Sequence, residues 1–327
     1  MTSRALRVGT RRSPLALTQT RQSMDELVRR SAGASYELVE ITTTGDRIVD
    51  RPLREAGGKG LFLKELDEAL VSGRIDCAVH SLKDVPTELA AGTTIAAVLE
   101  RADARDLLVT TGGLDLSALP TGAVIGTTSL RRQAQALAEA PHLNIRMLRG
   151  NVETRLRKLA DGEYDATFLA AAGLGRLGID LSAGGPARAV ALDPFTFVPA
   201  AGQGAVAITA RIDDRPTREL LARLDHAASR IAAAAERGFA RMFGGGCSLP
   251  LAAYAECRAG ELVLVGLVVS PDGHEQIRDR TSLELPDGSL AGADARAEEL
   301  GRSLARSFFE RGASRIIDAA NAAEIPR

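Results

Sequence analysis

Residues 5–17, Ala5-Leu6-Arg7-Val8-Gly9-Thr10-Arg11-Arg12-Ser13-Pro14-Leu15-Ala16-Leu17, decide the fold class. Ala5–Gly9 is a short apolar run suited to a strand, and Pro14–Arg30 carries a helical pattern. The polar turn between them offers Ser13 as an N-cap and Pro14 as the first helical residue. Strand, short polar turn, then helix at once is the building unit of an α/β domain. Outward from this unit the pattern continues: strands over Tyr36–Thr42, Cys77–His80 and Ile95–Leu99, and a helix over Leu61–Ser72 with Gly73 at its C-terminal stop.

The scheme then repeats between Leu107 and Ala191, with strands at Val124–Gly126, Ile145–Leu148 and Thr167–Ala170 and helices at Leu130–Ala140 and Val152–Asp161. A further strand, Ala205–Ala210, follows Pro194 and Pro199 and is assigned back to the first lobe. The chain thus crosses twice between lobes, which makes a natural hinge. From Ala222 the style changes to an Ala-rich helix (Arg230–Met242), strands at Leu251–Cys257, Leu262–Ser270 and Glu275–Leu285, a Pro271-Asp272-Gly273 turn, and a last helix from Asp294 to Glu310. These elements make a small α+β domain with an antiparallel sheet. The expected domains are 1–99 with 200–221, 100–199, and 222–327. Thr42–Gly60 has no period and is read as a lid.

Composition narrows the function. With 327 residues, 45% hydrophobic and 25% charged, the chain is globular and too long for one core. A net charge of −1 and 3% aromatic residues argue against nucleic acid as a partner. No apolar run reaches bilayer length, and Met1–Gly9 lacks a signal-peptide core, so a cytoplasmic location and no membrane partner are expected. Three cysteines without CxxC spacing fit neither a disulfide framework nor a zinc site.

Polar turns rich in Arg, Ser and Thr recur where strands pass into helices: Thr10–Leu15, Gly126–Arg132, and Arg146–Asn151 followed by Arg155. Each sets guanidinium groups and free N–H donors at a helix N-terminus, where an anion is favoured. Several such turns on one crevice imply a ligand with several carboxylates, which Arg pairs bidentately. The run His80-Ser81-Leu82-Lys83-Asp84-Val85-Pro86 lies at the same strand-end level, and its carboxylate suits stabilising a cation or handling a proton.

Gly57-Gly58-Lys59-Gly60 is not a P-loop, because Gly follows the Lys and the first Gly of that motif is missing. Gly173–Gly178 matches GxGxxG, but no helix pattern follows it, so a nicotinamide site is weakly supported. Cys77 sits in an apolar strand as packing. Cys247 instead follows three glycines and has no histidine partner in evidence, which suits a thiol used once as an anchor.

Together these residues resemble the porphobilinogen deaminase family. The resemblance rests on Thr10–Leu17, Gly57–Phe62, Val79–Pro86, Gly126–Arg132, Leu148–Asn151, Gly202–Ala205 and Gly245–Cys247, and runs from about Leu6 to Ala255. It implies two periplasmic-binding-protein-like α/β domains joined by a double-crossing hinge, plus the small α+β domain. It further implies a dipyrromethane cofactor held by a thioether to Cys247; because no long amphipathic stripe is left over to demand a partner, a monomer is expected. Four porphobilinogen units are then joined head to tail, each losing ammonia, and hydroxymethylbilane is released.

By the same resemblance Asp84 is the catalytic carboxylate. Ser13, Lys83, Asp84, Thr127, Ser129, Arg131 and Arg132 bind the cofactor; Arg11, Gln19, Arg149, Arg155, Arg176 and Gln203 bind incoming or moving pyrroles; Lys59 and Phe62 belong to the lid. Glu55, Gly244 and Ser248 depart from the family's usual residues, and no carboxylate-binding role is carried to Glu55. The rival class is a non-catalytic polycarboxylate-binding protein of the solute-receptor type.

Overall fold

The computed structural model describes residues 4–47, 63–181, 187–245, 249–285 and 292–322. The first lobe comprises β1 (Leu6–Arg11), α1 (Pro14–Arg30), β2 (Tyr36–Ile41), α2 (Thr44–Arg47), α3 (Lys64–Val71), β3 (Cys77–Ser81) and β4 (Thr93–Val98). The second holds β5 (Asp106–Thr110), β6 (Val124–Gly126), α4 (Leu130–Glu139), β7 (Asn144–Arg146), α5 (Val152–Ala160), β8 (Ala166–Ala170), α6 (Ala171–Leu177) and β9 (Arg188–Ala191). The chain then returns through β10 (Val206–Arg211) and α7 (Arg215–Leu221).

The two five-stranded sheets have one plan, in the orders β2-β1-β3-β10-β4 and β7-β6-β8-β5-β9. In the first, β1 is parallel to β2 and β3, and β10 runs antiparallel between β3 and β4. In the second, β6 is parallel to β7 and β8, and β5 runs antiparallel between β8 and β9. The antiparallel strand of each sheet is the one reached by crossing from the other lobe. Because it runs backwards, its start lies at the edge where the parallel strands end, so hinge and polar turns share the cleft. The two crossings also bond to each other, with Ala102 N donating to Gly204 O at 3.2 Å and Arg101 Nε to Gln203 O at 2.8 Å.

Central strands are buried on both faces, which is why β3 and β10 are rich in small or branched apolar residues. Phe168 on β8 is fully buried and stacks on Phe197 with ring centroids 5.1 Å apart.

The third unit comprises α8 (Ala227–Met242), β11 (Leu251–Arg258), β12 (Glu261–Val269), β13 (Gln276–Glu284), α9 (Ala293–Glu310) and α10 (Ala313–Ala322), with sheet order β11-β12-β13. One face of its sheet packs on α8 and α9 through Phe239, Leu264, Leu304 and Phe308. The other packs on the second lobe and hinge through Tyr254, Val265 and Leu267 against Ala134, Phe195 and Val198. Burial on both faces explains the continuous apolar sequence of β12, while edge strand β13 carries exposed Arg278, Asp279 and Arg280, which discourage further pairing.

Three elements escape the sequence pattern. The Gly173–Gly178 stretch is mostly α6 itself, packed on α1, so its glycines lie in a helix and its last residue in the left-handed cap. That geometry leaves no loop to cradle a pyrophosphate. β9 is four residues long and pairs with β5 at the sheet edge, and α10 follows α9 after a tight turn at Gly312. Of the expected lid, Thr44–Arg47 forms α2, and residues 48–60 lie outside the described residues. Among the described residues no helix is long and apolar enough to cross a membrane.

Candidate active site

β3 ends at Ser81 and passes into a single 3₁₀ turn, Leu82–Asp84. The returning hinge clasps this turn: Leu82 N donates to Ala205 O at 3.0 Å. Gly202, at φ +77°, comes so close that a Cβ would lie 2.8 Å from Leu82 Cγ and 3.1 Å from Lys83 N. Asp84 is thereby fixed where two cavities meet. The larger, about 310 Å³, is lined by Lys83, Thr127, Thr128, Ser129, Arg131, Arg132, Arg155, Gln203 and Arg237. The smaller, about 70 Å³, is lined by Arg11, Ser13, Gln19, His80 and Ser81, and Asp84 lines both.

Cationic side chains dominate the larger cavity. Ser129 caps α4, accepting from Arg132 N, while Thr127 Oγ1 accepts from Ser129 N at 3.1 Å. Behind the wall, Asp106 at the start of β5 is fully buried and receives Arg131 Nη1 at 2.7 Å, Arg132 Nη2 at 2.7 Å and Gln203 Nε2 at 3.0 Å. Burial alone would raise its carboxyl, but the two guanidiniums outweigh burial and hold it well below the ordinary carboxylate range. One carboxylate faces two arginines, so a positive charge remains for a ligand.

Among the described residues Lys83 Nζ donates a single long bond, 3.4 Å, to Gln203 Oε1. Burial lowers its ammonium to about 8 against the opposing pull of Asp84. Burial, with Arg132 and Arg149 nearby, lowers Arg155 to about 10, and no carboxylate among the described residues pairs with it.

In the smaller cavity Ser13 caps α1 as expected, and Gln19 Oε1 accepts from Ser81 Oγ at 3.2 Å. His80 bonds Thr209 Oγ1 at 3.0 Å through Nε2. Burial and then Arg11 lower it to about 4, leaving a neutral imidazole. Arg176 lines neither cavity. From α6 it clasps the first lobe, donating to Gly204 O at 2.6 Å and to Gln19 Oε1 at 3.4 Å. Arg149 also lies outside both linings, and its Nε is buried with no hydrogen-bond partner among the described residues.

Lys59, Phe62 and Cys247 lie outside the described residues. Gly245 and Leu249, which bracket residues 246–248, both line the larger cavity. Gly245 sits at φ +63°, and a Cβ there would collide with Thr87 Oγ1, so only glycine fits. Cys77 is fully buried, which pushes its thiol up to about 12 and leaves it inert packing.

Residues 6–219 match the family model described as "Porphobilinogen deaminase, dipyromethane cofactor binding domain", and residues 230–310 match "Porphobilinogen deaminase, C-terminal domain". The chain belongs to the porphobilinogen deaminase family. Solved structures similar to it include the VFT2 domain of BvgS from Bordetella pertussis, with 15% identity, TM-score 0.41, and coverage of 67% of this chain and 86% of that one. A periplasmic His/Glu/Gln/Arg/opine family-binding protein from Silicibacter pomeroyi in complex with lysine shows 19% identity and TM-score 0.36, covering 67% of this chain and 88% of that one. A ligand-binding component of an ABC-type import system from Staphylococcus aureus shows 12% identity and TM-score 0.39, covering 72% and 74%. At these TM-scores the likeness carries no argument about this chain.

Set against the two porphobilinogen deaminase matches, Asp84 and the lining residues up to Gln203 fall in the cofactor-binding region, while Arg237, Gly245 and Leu249 come from the C-terminal region. Three groups at this site carry no signature in the sequence. Asp106 opens an apolar run like any strand-initiating residue, and its partners lie 25, 26 and 97 positions away. Glu236, fully buried on α8, ties Arg101, Gly202 N and Ala255 N together, and so joins both hinge crossings to β11. Arg237 is the third.

Proposed function

We propose that the protein joins four porphobilinogen molecules head to tail on a dipyrromethane primer held by a thioether at Cys247, releasing ammonia at each step and finally hydroxymethylbilane. In this reading it works as a monomer in the cytoplasm, with domain bounds 1–99 plus 200–221, 100–199 and 222–327. The observation that carries it is Asp84 at the junction of a large cationic cavity and a small polar one. The donor set suits the primer: Lys83, Arg131, Arg132 and Arg155 line the larger cavity, and a dipyrromethane bears several carboxylates. The volume lies at the lower end of small-molecule sites, about 300–1,000 Å³.

When bound, the primer supplies the pyrrole carbon to which the next unit joins. The chain's residues do the rest. Arg11, Ser13 and Gln19 offer the smaller cavity's donors to the incoming unit's acetate and propionate. Each condensation makes one carbon–carbon bond, breaks one carbon–nitrogen bond and liberates one ammonia, with no redox change. As ammonia departs, positive charge develops on the pyrrole N–H, and the Asp84 carboxylate stabilises that charge and then takes part in removing the ring proton. Neutral His80 adds no competing cation. Arg149, Arg155 and Arg176 serve the lengthening polyanion, Arg176 by holding the lobes together behind it.

The test is ammonia release from porphobilinogen by the wild type and by Asp84→Ala. The reading expects a folded variant with turnover reduced by at least about 100-fold. Near-normal release by the variant removes Asp84 from its role, and no release by wild type removes the reading.

A further inference from the structure

We infer that Arg237 is a positioning residue, which fixes the Asp84 turn from the third domain. The inference rests on the proposed role of Asp84. After Asp84 the chain leaves regular structure, and Pro86 has no N–H with which to tie itself down. Arg237 on α8 supplies the tie: Nη1 donates to Val85 O at 2.9 Å, and Nη2 to Pro86 O at 2.7 Å and Thr87 O at 3.4 Å. Three consecutive carbonyls are gripped by one rigid, planar donor fork, a task Lys cannot reproduce. Arg241, one helical turn on, adds Nη2 to Thr87 O at 2.8 Å and is itself paired with Glu298 on α9.

α8 is well anchored behind this grip. Phe239 stacks edge-on against Phe308 with centroids 5.1 Å apart, and Glu236 bonds both hinge crossings. The helix ends at Met242, and Phe243 and Gly244 lead on to Gly245, which abuts Thr87. α8 and the residues directly after it therefore hold the segment that follows Asp84 at Val85, Pro86 and Thr87. A guanidinium bonded, among the described residues, to backbone carbonyls alone is an expensive group to half-bury, and burial, aided by Arg241, lowers it to about 10. Such a cost is consistent with a residue kept for placement rather than for stability.

The test uses the full chain and two variants, Arg237→Met, which keeps the stem and removes the donors, and Arg237→Lys. Amide hydrogen exchange is measured over residues 82–90, together with primer occupancy by intact mass, and kcat and KM. Expected for Arg237→Met are exchange over 82–90 at least about tenfold faster with the rest of the first lobe unchanged, normal primer occupancy, kcat down about 100-fold and KM within about threefold. Arg237→Lys recovers part of both the protection and kcat. Unchanged exchange overturns the inference, and so does a kcat loss fully explained by missing primer. If Arg237→Met does not fold, Arg237→Lys decides alone, and wild-type protection with wild-type kcat overturns the inference. Failure of the functional reading would show separately, as wild type without primer or ammonia release, while the exchange arm still reports on the grip.

Discussion

Asp106→Asn is the substitution whose consequences the structure specifies most fully. The carboxylate is wholly buried, and Arg131 and Arg132 beside it are only 5% and 7% exposed. Arg131 bonds Oδ2, and Arg132 bonds Oδ1 through Nε at 3.1 Å and Nη2 at 2.7 Å. An asparagine oxygen can still accept from Arg132, but its NH₂ then faces the Arg131 Nη1 donor. Neither arginine can shed its proton, so two buried cations lose their counter-ion. Breaking a buried pair in this way costs about 3–5 kcal/mol, a large share of a stability of roughly 5–15 kcal/mol.

The unfolding midpoint of primer-free protein should therefore drop by roughly 4–7 °C. Primer-loaded protein should lose less, because ligand carboxylates replace the missing charge. The acid limb should change as well. A carboxyl held below its ordinary value adds stability above the unfolded pKa near ~4 that is lost as pH falls towards the folded value, and this component disappears in the variant. A loss below about 1 kcal/mol, or an equal loss with and without primer, would refute the claim that Asp106 neutralises half of a ligand-facing arginine pair.

Two further outcomes are expected. Lys83, lowered to about 8 chiefly by burial, is protonated below that pH and neutral above it, and bound carboxylates favour the charged form. Citrate binding to primer-free Cys247→Ser protein, followed by calorimetry, should weaken by up to about tenfold per pH unit above pH 8. Without ligand, folding stability should rise over the same interval, and Lys83→Met should flatten both trends. Arg155→Leu removes a cation with no carboxylate partner among the described residues, so enzyme-bound pyrrole intermediates seen by mass spectrometry should shift in distribution; a wild-type distribution would make Arg155 a wall residue only.

Much of this architecture is written locally. α1 spans Pro14–Arg30 as its cap and proline foretell, because Ser13 and Pro14 act on neighbouring backbone groups. β10 is legible as a strand and falls in the first sheet because it must cover the apolar flanks of β3 and β4. The polar turns at strand ends are legible for the same local reason, and the sheet plan brings them together without further instruction. What local pattern cannot show is who neutralises whom. Arg131 and Arg132 read alike as ligand cations, yet Asp106 already shares them. Arg176 reads as a pyrrole-binding residue, and nothing in the sequence signals its bond across the lobes to Gly204 O. Arg237 lies in an Ala-rich helix without a turn motif, and its carbonyl partners are 150–152 residues distant. α6 likewise forms against its glycines because packing on α1 outweighs their weak propensity.

The central claim is that this cavity holds a covalent primer that grows into the product. Intact-mass spectrometry of the purified full chain, followed by peptide mapping, tests it most directly. The account predicts a mass excess of two linked pyrrole units located on Cys247. Active protein with an unmodified Cys247 thiol would contradict it.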